Sequence, residues 1–149
     1  MSERGFFGIG IENVKRSVNF GTLFRSAYVF HADFVFTTGQ RVSPQSSDTY
    51  KSWRHLPLWH FDSVNDLASA LPHECLLIGV EMAPGATQLH RYVHPERACY
   101  LLGAEDNGLS KTALGLCHEV IALPGERSLN VSACGTVILW HRIVQRSQS

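Results

Sequence analysis

At 149 residues, with 44% hydrophobic and 17% charged positions, the chain is one domain's worth of sequence, large enough to bury a core and too apolar to be disordered. Lys+Arg and Asp+Glu balance at 13 each, so no global positive field marks a nucleic-acid binder, and any contact with RNA has to rest on a local patch or a partner. No apolar run approaches the roughly 20 residues of a membrane span, and the opening MSERGFFGIG lacks the apolar core of a signal peptide, which makes the cytoplasm the default compartment.

Phe6 to Ile11 is a short run of β formers and the first predicted strand. Asn13 to Val18 is polar and reads as a loop. A helical period then places Phe20, Leu23, Phe24, Ala27, Tyr28 and His31 on one face, with Asn19 positioned to cap the helix and Arg25 off the apolar stripe. Asp33 to Thr38 is a second strand. Gln40 to Phe61 is irregular, with a short strand near Leu58 to Phe61, and it collects Arg41, Lys51, Trp53, Arg54, His55, Trp59 and His60. Long irregular stretches in compact domains are usually functional or mobile.

Asp62 is the expected cap of a third helical segment that runs through Val64, Leu67, Ala68 and Leu71 to Pro72. Cys75 to Val80 is nearly all apolar, the pattern of a buried parallel strand. Glu81 to Arg97 is loop-rich. Strand Ala98 to Leu102, a helix near Lys111 to Cys117, strand Glu119 to Leu123 and a closing helix from about Leu129 to Gln145 complete the chain. The last helix is apolar almost all round, which points to a subunit interface. Alternation of strands and helices predicts a parallel α/β sheet of five or six strands with helices on both faces, in a single domain spanning 1–149.

Two strand-to-loop transitions stand out, one after Leu102 (GAEDNGLS) and one after Leu123 (PGERSLN). Glycine and polar side chains at the carboxyl ends of strands are how an open α/β sheet builds a ligand pocket. The glycines of GFFGIG precede and interrupt the first strand, whereas a dinucleotide fingerprint needs them after it. No P-loop and no GxSxG elbow occur. The His55/His60 and His90/His94 pairs lie in Pro-containing loops without HExxH context, so no metal is expected. Cys75, Cys99, Cys117 and Cys134 form no CxxC pair and read as buried free thiols.

Three motifs remain: NFGTLFRSA (Asn19 to Ala27), LLGAEDNGLS (Leu101 to Ser110) and LPGERSLNVSACG (Leu123 to Gly135). In order and spacing they resemble the SpoU/TrmH branch of the SPOUT RNA methyltransferases. Asn19, Gly21 and Arg25 match N-x-G-x-x-x-R. Gly103, Glu105, Gly108 and Leu109 match G-x-E-x-x-G-[LV], and Pro124, Ser128, Asn130 and Ser132 match the third run. GVEMAPGATQL is similar to the loop that precedes the second motif in that family.

The resemblance implies S-adenosylmethionine as cofactor, ribose 2′-O-methylation of tRNA or rRNA as activity, a homodimer with composite sites, and a C-terminal trefoil knot, a rare exception to unthreaded chain topology. Neither a metal nor a membrane partner is expected, and the chain is expected to lack the separate N-terminal RNA-binding extension that many members of that family carry. Arg25, Asn19, Glu105 and Asn130 are the implied catalytic set, with Arg25 clamping a phosphate because a guanidinium is a poor base. Val80, Gly103, Leu123, Ser128 and Leu129 are the expected cofactor contacts. Arg41, Lys51, Trp53 and Arg54 are the expected RNA contacts, cations on phosphates and tryptophan on bases. A knotted RNA-binding module without activity and a base-methylating SPOUT enzyme are the alternatives.

Overall fold

The computed structural model describes residues 4–42, 51–105 and 107–148. Its strands are β1 (Phe6–Glu12), β2 (Phe34–Thr38), β3 (Leu58–Phe61), β4 (Leu76–Val80), β5 (Thr87–Gln88), β6 (Arg97–Leu102) and β7 (Glu119–Ala122). Its helices are α1 (Ser17–Val29), α2 (Val64–Ser69), α3 (Lys111–Leu116) and α4 (Val131–Ser147). All strand pairs are parallel, in the order β3-β2-β1-β6-β4-β7-β5. The sheet thus has seven strands rather than five or six. The additional one, β5, is two residues long, too short to leave a period in the sequence.

The central strands are buried on both sides, so their side chains feed two cores. Phe7, Ile9 and Ile11 face α1 and α4 together with Phe20, Leu23, Phe24, Ile138 and Leu139. Phe34, Phe36, Leu77, Cys99 and Leu101 face α2 and α3. On this second side β1 packs Phe6 on the Phe34 ring at its start and offers Gly8 and Gly10 along its middle. A Cβ on Gly8 would meet the Phe34 ring at 2.3 Å, and one on Gly10 would meet the Phe36 ring at 2.5 Å. The glycines of GFFGIG therefore let two phenylalanine rings lie across the neighbouring backbone. Gly135 does the same for helices, since a Cβ there would meet Leu23 Cδ1 at 2.4 Å where α4 crosses α1.

Helix starts depart from expectation in two places. Asn19 is not a cap: α1 already runs from Ser17, its cap position is Arg16, and Asn19 is a buried polar residue in the first turn. The cap of α2 is Ser63, which accepts from the Asp66 N–H, and not Asp62. Ser110 and Asn130 cap α3 and α4. In this chain α4 is not buried all round; it buries Val131, Ser132, Gly135, Ile138, Leu139 and Arg142 and leaves Trp140 53% exposed.

Arg142 is fully buried and, among the described residues, forms no salt bridge. Its guanidinium donates to the carbonyls of Arg4, Pro95 and Glu96 and to the Tyr100 hydroxyl, and lies over the Phe7 ring. Because the arginine can only donate, the Tyr100 hydroxyl is free to donate to His94 Nδ1 at 2.6 Å. His94 Nε2–H then donates to His141 Nδ1 at 2.8 Å. Burial, followed by the nearby charges of His141, Arg142 and Arg146, pushes the His94 imidazole down to about 3. The ring is neutral at physiological pH, as the chain of hydrogen bonds requires.

Candidate functional site

Parallel strands end at one edge of the sheet, and β6, β4 and β7 lie side by side. The loops that leave them, at 81–82, 103–109 and 123–130, enclose a cleft of about 320 Å³ against the start of α4. The sequence pointed to the ends of two strands; the site uses three, because β4 separates the two whose motifs were visible. The expected cofactor contacts Val80, Gly103, Leu123, Ser128 and Leu129 all line this cleft.

Carboxylates at strand ends shape the loops. Glu81 takes the N–H of Met82 on Oε1 at 3.0 Å and that of Leu109 on Oε2 at 2.8 Å. Gly108, with φ +64°, makes room for it, as a Cβ there would sit 2.2 Å from Glu81 Oε2. Gly103 faces Gly108 so closely that a Cβ would lie 2.2 Å from the Gly108 carbonyl carbon. Gly108 N–H closes the turn onto the Ala104 carbonyl. Glu12, at the end of β1, accepts from the N–H and hydroxyl of Ser110 and so fixes the start of α3. Neither Glu12 nor Glu81 was singled out in the sequence, although an acid at the end of an apolar run is the available signal.

Glu105 reaches away from its own loop to α1. It accepts from the backbone N–H groups of Lys15 and Arg16 and, at 2.8 Å, from Asn19 Nδ2. This is the work of a capping-box glutamate, done here from another strand's loop. Partial burial alone would raise the Glu105 carboxyl; the hydrogen bonds from Asn19 and from the backbone of Lys15 and Arg16 outweigh it and hold it below its usual range. Asn130 Nδ2 donates to Asn19 Oδ1 at 3.0 Å, while Asn130 Oδ1 accepts from Ser132 and Ala133 at the start of α4. One residue from each of the three motifs thus joins a single chain, Glu105–Asn19–Asn130, at the cleft.

Arg25 is half-buried on α1, six residues beyond Asn19, and is not on the cleft wall. That separation is roughly 9 Å of helix rise. Arg41 follows β2 at the cleft edge of the sheet. Lys51 precedes and Arg54 ends the short helical turn Ser52–Arg54 that leads into β3, at the opposite edge, where His55 stacks on Tyr28 near the end of α1. The expected RNA contacts are therefore split by about one strand length, roughly 13–17 Å within one chain. One face of the Trp59 indole packs on Phe34 at 4.2 Å. The expected stacking of Trp53 falls on a side chain outside those described. Among the described residues no cluster of three or more His, Cys, Asp or Glu is arranged to hold a metal, and no helix is long and apolar enough to cross a membrane.

A model of the SpoU rRNA methylase family matches residues 7–140. Among solved structures, the SpoU methyltransferase AviRb from Streptomyces viridochromogenes, in complex with the cofactor AdoMet, is 23% identical with a TM-score of 0.85, over 97% of this chain and 59% of that one. The A. aeolicus TrmH/SpoU tRNA modifying enzyme is 18% identical with a TM-score of 0.85, over 95% of this chain and 76% of that one. A structure solved for the 2-OH methylation of C/U34 on tRNA is 20% identical with a TM-score of 0.84, over 98% of this chain and 99% of that one. At these identities the likeness is one of fold. The chain spans about three-fifths of the AviRb chain. No curated protein matches it significantly.

Proposed function

Because the chain belongs to the SpoU rRNA methylase family, we propose that it is an S-adenosylmethionine-dependent RNA methyltransferase acting on ribose 2′-hydroxyls of tRNA or rRNA. The observation that carries this reading is the Glu105–Asn19–Asn130 chain beside a cleft built by three strand ends.

The cleft suits the cofactor. Its volume of about 320 Å³ is at the small end of ligand sites. Val80, Leu102, Leu123 and Leu129 give an apolar wall, and the loop backbones supply polar groups for an adenine edge. When bound, S-adenosylmethionine supplies a methyl group activated by its sulfonium. The chain's own task is to align a ribose hydroxyl and accept its proton. Glu105, held below the usual carboxylate range by donors that include Asn19, Lys15 and Arg16, is a poor proton acceptor and acts by position. Through Asn19 and Asn130 it fixes the first turns of α1 and α4 relative to the cleft. Arg25, a fixed cation on α1, is assigned to the phosphate next to the reacting ribose.

The C-terminal half, from β4 to α4, is assigned the family's trefoil knot. The active species is assigned as a homodimer, with α1 and α4 forming the interface. The support is a set of exposed apolar side chains on these two adjoining helices: Val18, Tyr28 and Val29 on α1 and Trp140 on α4. Trp140→Arg is expected to turn a dimer into monomer in sedimentation experiments.

The deciding experiment is transfer of label from S-[methyl-³H]adenosylmethionine into tRNA and rRNA, followed by alkaline hydrolysis. A 2′-O-methyl group blocks cleavage, so label in dinucleotides supports the proposal. Label in mononucleotides identifies a base methyltransferase. Failure of the folded protein to bind the cofactor in calorimetry, with RNA present, leaves an RNA-binding module without activity.

A further inference from the structure

The charges on the cleft wall are distributed unequally. Among the described residues two carboxylates line it, Glu81 from the loop after β4 and Glu105 from the loop after β6. Both are already engaged by internal donors, Glu81 by Met82 and Leu109 and Glu105 by Lys15, Arg16 and Asn19. Among the described residues, Arg127 is the only cation lining the cleft. It stands on the third loop, exposed, next to Ser128 and three residues before the cap of α4. Among the described residues it makes no ion pair and no side-chain hydrogen bond. The start of a 17-residue helix adds positive potential on the same side.

A ligand complementary to this wall carries positive charge toward Glu81 and Glu105 and one anionic group toward Arg127. S-adenosylmethionine has this distribution, with a sulfonium, an ammonium and one carboxylate. We propose that Arg127 is the anion anchor of the cleft and holds the carboxylate of the cofactor's methionine portion. The assignment rests on the cofactor reading of the cleft. It gives Arg127 a part in the site that the three motifs did not, since Arg127 lies between the matched positions Pro124 and Ser128. The same guanidinium chemistry would take an RNA phosphate, and the test separates the two sources.

Calorimetric titration of the full chain with two probes is the test. S-adenosylhomocysteine keeps the carboxylate; 5′-methylthioadenosine lacks the whole amino-acid end. Arg127→Ala is expected to weaken S-adenosylhomocysteine about tenfold, the scale of one charge-assisted hydrogen-bonded pair, and to leave methylthioadenosine within about twofold. Arg127→Lys is expected to recover part of the loss, because charge is kept and the planar fork is not. Equal loss for both probes would overturn the proposal in favour of a loop-shaping role. So would no loss for either. A loss confined to RNA affinity, with the salt slope reduced by about one, would assign the anion to phosphate and overturn the carboxylate assignment. If the wild-type protein binds neither probe, the cofactor reading itself falls, and this proposal with it.

Discussion

Asn130 Nδ2 donates to Asn19 Oδ1 across 111 residues of sequence, joining the first turn of α4 to the first turn of α1. Each amide is oriented by its other partner. Asn130 Oδ1 is held by the α4 N–H groups and Asn19 Nδ2 by Glu105, so neither side chain can flip without breaking a cap or a carboxylate contact.

Asn130→Asp isolates that relay. The carboxylate still caps α4, so thermal stability is expected to stay within about 1 kcal/mol of wild type. It cannot donate to Asn19, and methyl transfer is expected to fall at least tenfold. Asn130→Ala removes the cap as well and is expected to lose about 1–2 kcal/mol in denaturant unfolding. If Asn130→Asp transfers methyl groups at the wild-type rate, the relay has no part in the reaction.

Gly108→Ala is expected to destabilise the fold by about 2–3 kcal/mol. The new methyl would combine a left-handed backbone with a clash against the Glu81 carboxylate. Part of that cost is shared with Glu81→Ala, so the double variant is expected to be less destabilised than the sum of the two single ones. Urea melts of the four proteins measure the coupling.

The His94 ring contributes stability through its neutral form. Its folded pKa lies at about 3, below the unfolded value near 6.5, so the contribution is fully present above pH 6.5 and is lost progressively as pH falls toward 3. Between pH 6.5 and 5, above the carboxylate range, the wild type is expected to lose stability with a slope that His94→Gln reduces, since the His141 imidazole, also lowered by burial, contributes in the same window. Chemical unfolding at closely spaced pH values reads this directly.

Glu105 acts in the same direction at lower pH. Its folded pKa is depressed, so the stability it supplies is present above about pH 4.3 and is lost as pH falls through the folded value. Glu105→Gln is expected to flatten that acid limb and leave the His94 window unchanged. An unchanged acid limb would show that the contacts to Asn19, Lys15 and Arg16 carry no net stabilisation.

The long elements were readable because each has a period and a boundary. β1, β3, β6 and α3 fall within a residue of their expected limits, since apolar runs and Gly, Pro or Ser punctuation mark them. β5 was not readable, because two residues carry no period. The misassigned cap at Asn19 has a physical reason: a buried polar residue at the start of an apolar stripe looks like a cap until its partners are known. Those partners, Glu105 and Asn130, are 86 and 111 residues away. The motifs contain the residues of the Glu105–Asn19–Asn130 chain but do not show how these bond to one another. Glu81 and Glu12, which hold the loops in shape, lie outside the three motif runs that drew attention.

The caged guanidinium of Arg142 has a consequence for how the chain reaches this state. Its acceptors come from Arg4, before the first strand, and from Pro95 and Glu96, at the entry to β6. They do not exist as a set until β1 and β6 are paired in register. The last helix can therefore dock productively only after the centre of the sheet has formed, which makes its seating a late step of high sequence separation. During that interval the amides of α4 are expected to exchange with solvent while those of β1 and β6 are already protected. Pulse-labelling during refolding would record the molecule closing from its middle outward, with the C-terminal helix as the bolt.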